Sequence, residues 1–334
     1  MPITQMIAGR TFTYLECMGR NGAGETGFIH PVGVARGKDN VIYVLNAGTE
    51  FLPSARITKA TLTHEWLMDI GGPGNGDGQF LWPGGIALDS KENIYVTDQI
   101  DHKVVSFDNG GTSLGKWGSY GTASDQFCAP SGIAIDSHDN VFVVDSRNAR
   151  IQKFTTDGKH LGTFGSSGKE DGQFTLPWGI TIDSNGNIYI ADWGNDRIQK
   201  FTHEGQHLLT FGIPGSGPGE MHRPSGVAVD QDGDIYVVDM GNDRVLAFTP
   251  EGDHLTTFIG DARELSPWAR LTVDVNPDVI KARARTSTEP EVVFRGPVAV
   301  DVGDDFRVTV VEAFNNRLQF YLKDKAYEDP QFTL

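Results

Sequence analysis

Cysteine is scarce in this chain: Cys17 and Cys128 are the two in 334 residues. Neither sits in Cys-x-x-Cys or zinc-knuckle spacing, so a disulfide framework and a structural zinc site are both unexpected, and the two thiols read as small hydrophobes. Long apolar runs are also missing. Nothing approaches the roughly 18 residues that a membrane-spanning helix needs, so no membrane association is expected. The opening stretch, MPITQMIAGRTFTYLECMGR, has neither the charged flank nor the apolar segment of a secretory signal, which makes a cytoplasmic location the expectation. Cations are outnumbered, with 28 Lys and Arg against 44 Asp and Glu and a formal net charge of −16. Such a chain repels phosphate backbones, whose binding requires clustered Lys and Arg, so nucleic acid is not expected as a partner.

Several catalytic signatures are absent as well: there is no G-x-S-x-G elbow, P-loop, H-E-x-x-H or EF-hand loop. The segment DQDGD, Asp230–Asp234, starts like a calcium loop but lacks the later Glu, and reads as a turn. The glycine-rich stretches GPGNGDGQF and GSGPGE lead into strands rather than a helix, so they create no phosphate-binding helix terminus.

What the chain does have is a repeat. Pro-x-Gly recurs at Pro31, Pro83, Pro130, Pro177 and Pro224, the last three steps each being 47 residues, and a degenerate RGPVAVD places Arg295 in the proline slot of a sixth copy. Each anchor leads to a turn such as SNGN and a β-branched, aromatic run (NIYVTD, NVFVVD, NIYIAD, DIYVVD). A second run follows (KVVSF, RIQKF, RVLAF), then another turn and a third run such as KHLGTFG. That makes four short antiparallel strands per unit, with Asn-Gly, Asp-Gly and Glu-Gly supplying turns. A four-stranded unit of this length is a propeller blade, because its sheet covers both faces only when neighbours pack radially against it. The expected fold is therefore all-β: a single six-bladed propeller over residues 1–334. An aromatic or apolar residue followed by Gly lies ten positions before the next Phe or Met of each anchor, as in Trp117 to Phe127, and counting back ten from Phe28 reaches Met18. The segment TYLECMG is thus expected to be an outer strand that completes the sixth blade and closes the ring.

The combination Pro-x-Gly-[Ile/Val]-Ala-[Ile/Val]-Asp, then Asp-Gly-Asn-[Ile/Val]-Tyr-Val-x-Asp, then Asn-x-Arg-[Ile/Val]-Gln-x-Phe resembles the NHL repeat, and the likeness runs through nearly the whole chain. The resemblance implies a six-bladed propeller. For activity it implies several outcomes, since NHL propellers serve as RNA- or protein-binding modules, as sensor domains and as lyases, and a fold is not an activity. The NHL lyases that cleave peptidyl-α-hydroxyglycine are implied to bind zinc through histidines in inter-blade loops, on a Pro-His-Gly pattern. This sequence departs from it, with Val32, Gly84, Ser131, Trp178, Ser225 and Gly296 in the middle position.

With strands named a to d from the axis outward, the d-to-a and b-to-c loops open on one face and the a-to-b and c-to-d turns on the other. Length varies on the first face. The b-to-c loop of blade 1 is long, and blade 5 is followed by an insertion at about 261–293, expected to act as a lid over a pocket. The recurring pairs Asp98/Lys103, Asp145/Arg150, Asp192/Arg197, Asp239/Arg244 and Glu312/Arg317 are expected to brace the b-to-c loops, because function in a repeat array sits where the repeat breaks. Breaks single out the candidates. His30, His102 and His222 lie in loops of the first face and could converge on a divalent metal, zinc or calcium. Arg36 stands in an otherwise apolar slot and needs a carboxylate, an anionic ligand or solvent beside the blade 1 loop. Glu50 is a candidate ligand or general base. Trp178 and Trp193 are expected to face each other across strands a and b of blade 4 as one aromatic wall, flanked by Gln99, Met240 and Arg223. The candidate catalytic set is His30, His222, Arg36 and Glu50. Two functions remain open: a metal-assisted lyase or hydrolase acting on a small molecule or peptide, and a non-catalytic propeller that binds a protein or peptide.

Overall fold

In the computed structural model, which describes residues 4–324, the chain forms a ring of six four-stranded antiparallel sheets. The outermost residues of the 1–334 span, 1–3 and 325–334, lie outside the described residues. Blade 3 shows the plan: strand a, Pro130–Ile135; b, Val141–Asp145; c, Arg150–Phe154; d, His160–Phe164. Among the described residues no helix is long and apolar enough to cross a membrane.

The core is divided rather than central. Buried side chains form six clusters, and each is shared by two neighbouring blades; Phe142, Val144 and Ile151 of blade 3, for example, pack with Phe174, Ile188, Ile190 and Phe201 of blade 4. This is why the b strands are apolar throughout instead of alternating: both faces of every blade are covered. At the axis the a strands come closer still. A Cβ on Gly132 would lie 2.5 Å from the Trp178 carbonyl oxygen, and one on Gly179 the same distance from that of Ser225, so the glycine of Pro-x-Gly is set by backbone contact between blades.

The ring closes as expected. Arg10–Met18 pairs with strand c of blade 6 (Arg317–Lys323) through Cys17↔Gln319 and Met18↔Leu318, and Thr4–Ile7 adds a fifth strand outside it. The expected position of the sixth anchor is corrected: Pro297, not Arg295, pairs with Glu312 as Pro224 does with Asp239. Val302, not Val300, therefore occupies the slot that Arg36 fills in blade 1.

The insertion also departs from expectation. It forms three short helices, α1 (Pro267–Val273), α2 (Pro277–Arg283) and α3 (Glu289–Val292), but it lies across the rim rather than over the axis. Trp268 is buried against Phe28 at 5.3 Å and donates its indole N–H to the His64 carbonyl, in the c-to-d turn of blade 1. Cys17 donates to the Glu264 carbonyl and Ser266 to that of Gly19. An apolar anchor outside the ring draws the segment outward, where it straps the closing strand to blade 1.

On the other side of blade 6, the turn Asp230–Asp234 meets a lysine. The fully buried Lys323 ammonium lies 2.9 Å from Asp230, 2.8 Å from Asp232 and 2.8 Å from Asp234, and Arg10 forks onto Asp234 from the closing strand. Three carboxylates hold the Lys323 pKa above its ordinary value against the opposing effect of burial. Removing one partner of a buried ionic cluster leaves the others uncompensated. Lys323→Met is therefore expected to lower unfolding stability by about 3–5 kcal/mol, measured by denaturant titration at neutral pH; a loss below about 1 kcal/mol would show that the cluster does not hold the seam.

Candidate functional site

The loop face is built on one recurring device. The acid that ends strand b is buried and accepts the first backbone N–H of the incoming loop: Asp145 from Cys128 at 2.7 Å, Asp192 from Thr175 at 2.8 Å, Asp239 from His222 at 2.6 Å and Glu312 from Arg295 at 3.1 Å. The cation that opens strand c binds the same acid and reaches back to loop carbonyls. Arg150 lies 2.7 Å from Asp145 and donates to Thr122, Ala123 and Gln126. The repeated acid–base pairs thus brace the loops. Blade 1 differs: Asn46 accepts from Ile29 in the acid's place, and Arg56 turns to Asp69 at 3.3 Å.

A second device joins neighbouring blades. In blades 2 to 6 the residue before strand c is left-handed, and where its side chain can accept, it takes the N–H of the residue before the next blade's proline. Asp196 accepts from Arg223, Asp243 from Gly296, Asn316 from His30, and the Nδ1 of His102 accepts from Ala129 at 3.0 Å. His102 is therefore a latch between blades 2 and 3, and its hydrogen resides on Nε2.

The three histidines are not brought together. His30 rests on Phe314 (5.9 Å between ring centroids), with burial lowering its pKa; His102 rests on Tyr120 at 4.9 Å; and His222, half exposed, lies 3.4 Å from Asp196. Among the described residues no group of three His, Cys, Asp or Glu is placed to hold a metal ion, so the donor set does not fit zinc or calcium. Arg36 is on the opposite face from His30 and Glu50, because it ends strand a rather than beginning it. There it pairs across the blade 6–1 seam with Asp305 at 3.2 Å and Asp301 at 3.7 Å. Of its expected partners, the carboxylate holds and the blade 1 loop does not. Glu50 stays exposed in that loop.

The tryptophan pair is also corrected. In blade 4, Ile182 faces Ile188, and Ile180 faces Ile190, but the ladder bulges at its entrance: Trp178 donates to the Ala191 carbonyl, and Ala191 to that of Gly179. Trp178 thus lies opposite Ala191, while Trp193 has already entered the turn Trp193–Asn195. Trp178 lines the axial channel among the glycines and valines of the a strands. That cavity, about 90 Å³, falls below the several hundred Å³ of a small-molecule site. Trp193 instead lies beneath the guanidinium of Arg223, 4.8 Å from the ring centroid. Met240 begins the matching turn of blade 5 and packs on the blade 5–6 cluster.

Gln99 and His102 do meet, in a cleft of about 480 Å³ between blades 2 and 3 that is completed by Trp82, Ile100, Ala129 and Arg147. Trp82, Ile100 and Arg147 went unpredicted. The signal was present in the column after strand b's acid, where the second residue is Ile100, Arg147, Gly194, Gly241 and Phe314 in blades 2 to 6. The loops of this face expose further apolar side chains, Phe51, Leu52, Leu81, Leu176 and Phe314, whereas among the described residues the a-to-b and c-to-d turns expose none.

Two junctions lack the latch, since alanine precedes strand c in blades 1 and 3, at Ala55 and Ala149. Ala149 holds the left-handed position between blades 3 and 4 with no acceptor to offer Leu176. Aspartate tolerates that conformation better than alanine and supplies the acceptor. Ala149→Asp is expected to stabilise the fold by about 1 kcal/mol, read as a raised denaturation midpoint; an unchanged or lower midpoint would contradict the latch.

Comparison with known proteins agrees with this architecture. The NHL repeat model matches residues 127–154, 174–201 and 221–248, each running from the end of one d-to-a loop through strand c. No curated protein matches the sequence. Among solved structures, a protein of unknown function from Bacteroides thetaiotaomicron is 17% identical with a TM-score of 0.63, over 94% of this chain and 76% of that one. Virginiamycin B lyase from Staphylococcus aureus is 15% identical with a TM-score of 0.57, over 93% and 99%. A chain of a nidogen/laminin complex is 17% identical with a TM-score of 0.55, over 77% and 92%. At these identities the likeness is one of fold. The chain is a six-bladed β-propeller that carries NHL repeats.

Proposed function

We propose that the protein is a non-catalytic binding propeller whose loop face grips a polypeptide. The observation that carries this reading is the difference between the two faces of the disc: among the described residues the loop face exposes large apolar side chains and the turns of the other face expose none. Phe51 is 95% exposed and Phe314 66%, and the loops of blades 2 and 4 add Trp82, Ile100 and Leu176. Exposed apolar groups clustered within a polar rim mark interaction surfaces, and aromatic anchors dominate their energetics. A six-bladed ring offers such a surface on braced loops: a buried acid holds those of blades 2 to 6 from beneath, and Asn46 stands in its place in blade 1. The separate engagements of His30, His102 and His222 favour this reading over a metal-assisted lyase or hydrolase, which needs them to converge.

The test uses peptides selected from a displayed random library on the purified protein. The double variant Phe51→Ser, Phe314→Ser is expected to weaken the selected peptides about tenfold or more, the size of an aromatic anchor's contribution, with the melting temperature unchanged because both rings are exposed. Peptides that bind the variant as tightly as the parent would place the site elsewhere.

A further inference from the structure

The cleft between blades 2 and 3 has a composition at odds with the rest of the molecule. In a chain of net charge −16, none of its lining residues is acidic. Its polar groups are donors: the Arg147 guanidinium, the Gln99 amide and, because the His102 Nδ1 already accepts from Ala129, the His102 Nε2–H. Its other walls are apolar, Trp82, Ile100 and Ala129. Arg147 is exposed, and its guanidinium has no ion pair or hydrogen bond among the described residues, whereas the arginines that open strand c are each bound to an acid. The acids beside these residues in sequence are engaged elsewhere: Asp145 by Arg150 at 2.7 Å and Asp101 by Lys103 at 2.7 Å. The cleft is also where the repeat breaks: blade 3 alone places a cation at this step, and blade 2 alone places tryptophan before its proline.

From this juxtaposition we infer that the cleft binds the α-carboxylate of a polypeptide whose last residue is apolar. A guanidinium presents paired N–H groups that match the two oxygens of a carboxylate, and the amide and imidazole donors stand in the same cleft to complete the set. An apolar wall beside those donors suits a ligand that carries its carboxylate and its apolar side chain on one carbon, which is the chemistry of a C-terminal residue. The His102 latch fixes the ring's tautomer, so the donor is presented before the ligand arrives. This inference rests on the loop face being the polypeptide-binding face, and it adds that chains are held there by their end.

The test titrates the full-length protein with three probes, following Trp fluorescence and calorimetry: acetyl-Ala-Ala-Leu with a free carboxylate, the same peptide as its C-terminal amide, and acetyl-Asp-Ala-Leu-amide, whose carboxylate is on a side chain. The free acid is expected to saturate the site, and both amides to bind at least tenfold more weakly. Arg147→Gln is expected to weaken the free acid at least tenfold and to erase its advantage over the amide, with the melting temperature unchanged because Arg147 is exposed. Equal binding of acid and amide, binding of the aspartyl amide as tight as the acid, failure of the acid to saturate at millimolar concentration, or indifference to Arg147→Gln would each overturn the assignment. Selected peptides that depend on Phe51 and Phe314 but not on a free C-terminus would overturn the end-recognition cleft while leaving the binding face in place.

Discussion

The buried acid that ends strand b in blades 2 to 6, replaced by Asn46 in blade 1, is the interaction on which the loop face depends. A propeller blade ends in loops whose backbone donors and carbonyls have no ladder partners, and a ring of such loops cannot present a defined surface unless those groups are satisfied. In blades 3 to 6 a single carboxylate takes the loop N–H on one side and an arginine on the other, and the arginine's remaining donors reach the carbonyls of the same loop. The acid is buried but never alone, which is the condition under which a buried charge is tolerated. Above this layer one structural position is held by side chains as different as Arg147 and Phe314, and by glycine in blades 4 and 5, where a Cβ would meet the carbonyls of Thr175 and His222.

Blade 6 concentrates the strain of making a line into a circle. Its d strand comes from the other end of the chain, so strands c and d of this blade are joined by pairing across the sheet and not by the c-to-d turn that links them in the other blades. Three reinforcements meet there: the Trp268 strap on the blade 1 side, the Arg36 pairing with Asp301 and Asp305 at the inner strands, and the lysine and arginine that enter the acidic turn of blade 5. Each is absent from the regular blades. Departures from the repeat at this seam therefore serve closure, whereas those at the blade 2–3 seam open a cleft.

The repeat made the ring legible, including its closure by residues near Met18, because blade-to-blade identity of position is a property of sequence spacing. The same spacing misled where the residue taken as the marker was not the structural equivalent. Asp301 is two residues short of Gly303, the true equivalent of Asp230, so aligning on it put Arg295 where Pro297 stands; and Ile182, not Asp183, faces Ile188, so Trp178 and Trp193 fall out of register even before the strand bulges. The insertion's length was legible but its direction was not, since that is set by one indole packing on Phe28 at the far side of the chain. Arg36 was recognisable as a charge needing a partner, but which face it occupied depended on strand direction. His102 drew attention as an imidazole, while its part is to accept an N–H from the next blade, a service Asp196, Asp243 and Asn316 perform without attracting notice.

The acidic turn at Asp230–Asp234 carries a consequence of a different kind. Turns of alternating aspartates ordinarily borrow their neutralising charge from dissolved ions, so that their order follows the composition of the surrounding solution. Here the counter-ion is part of the polypeptide. It is delivered at full stoichiometry by synthesis and cannot be exchanged or chelated, so the order of the turn is tied to blade 6 being packed against it and not to the ions in solution.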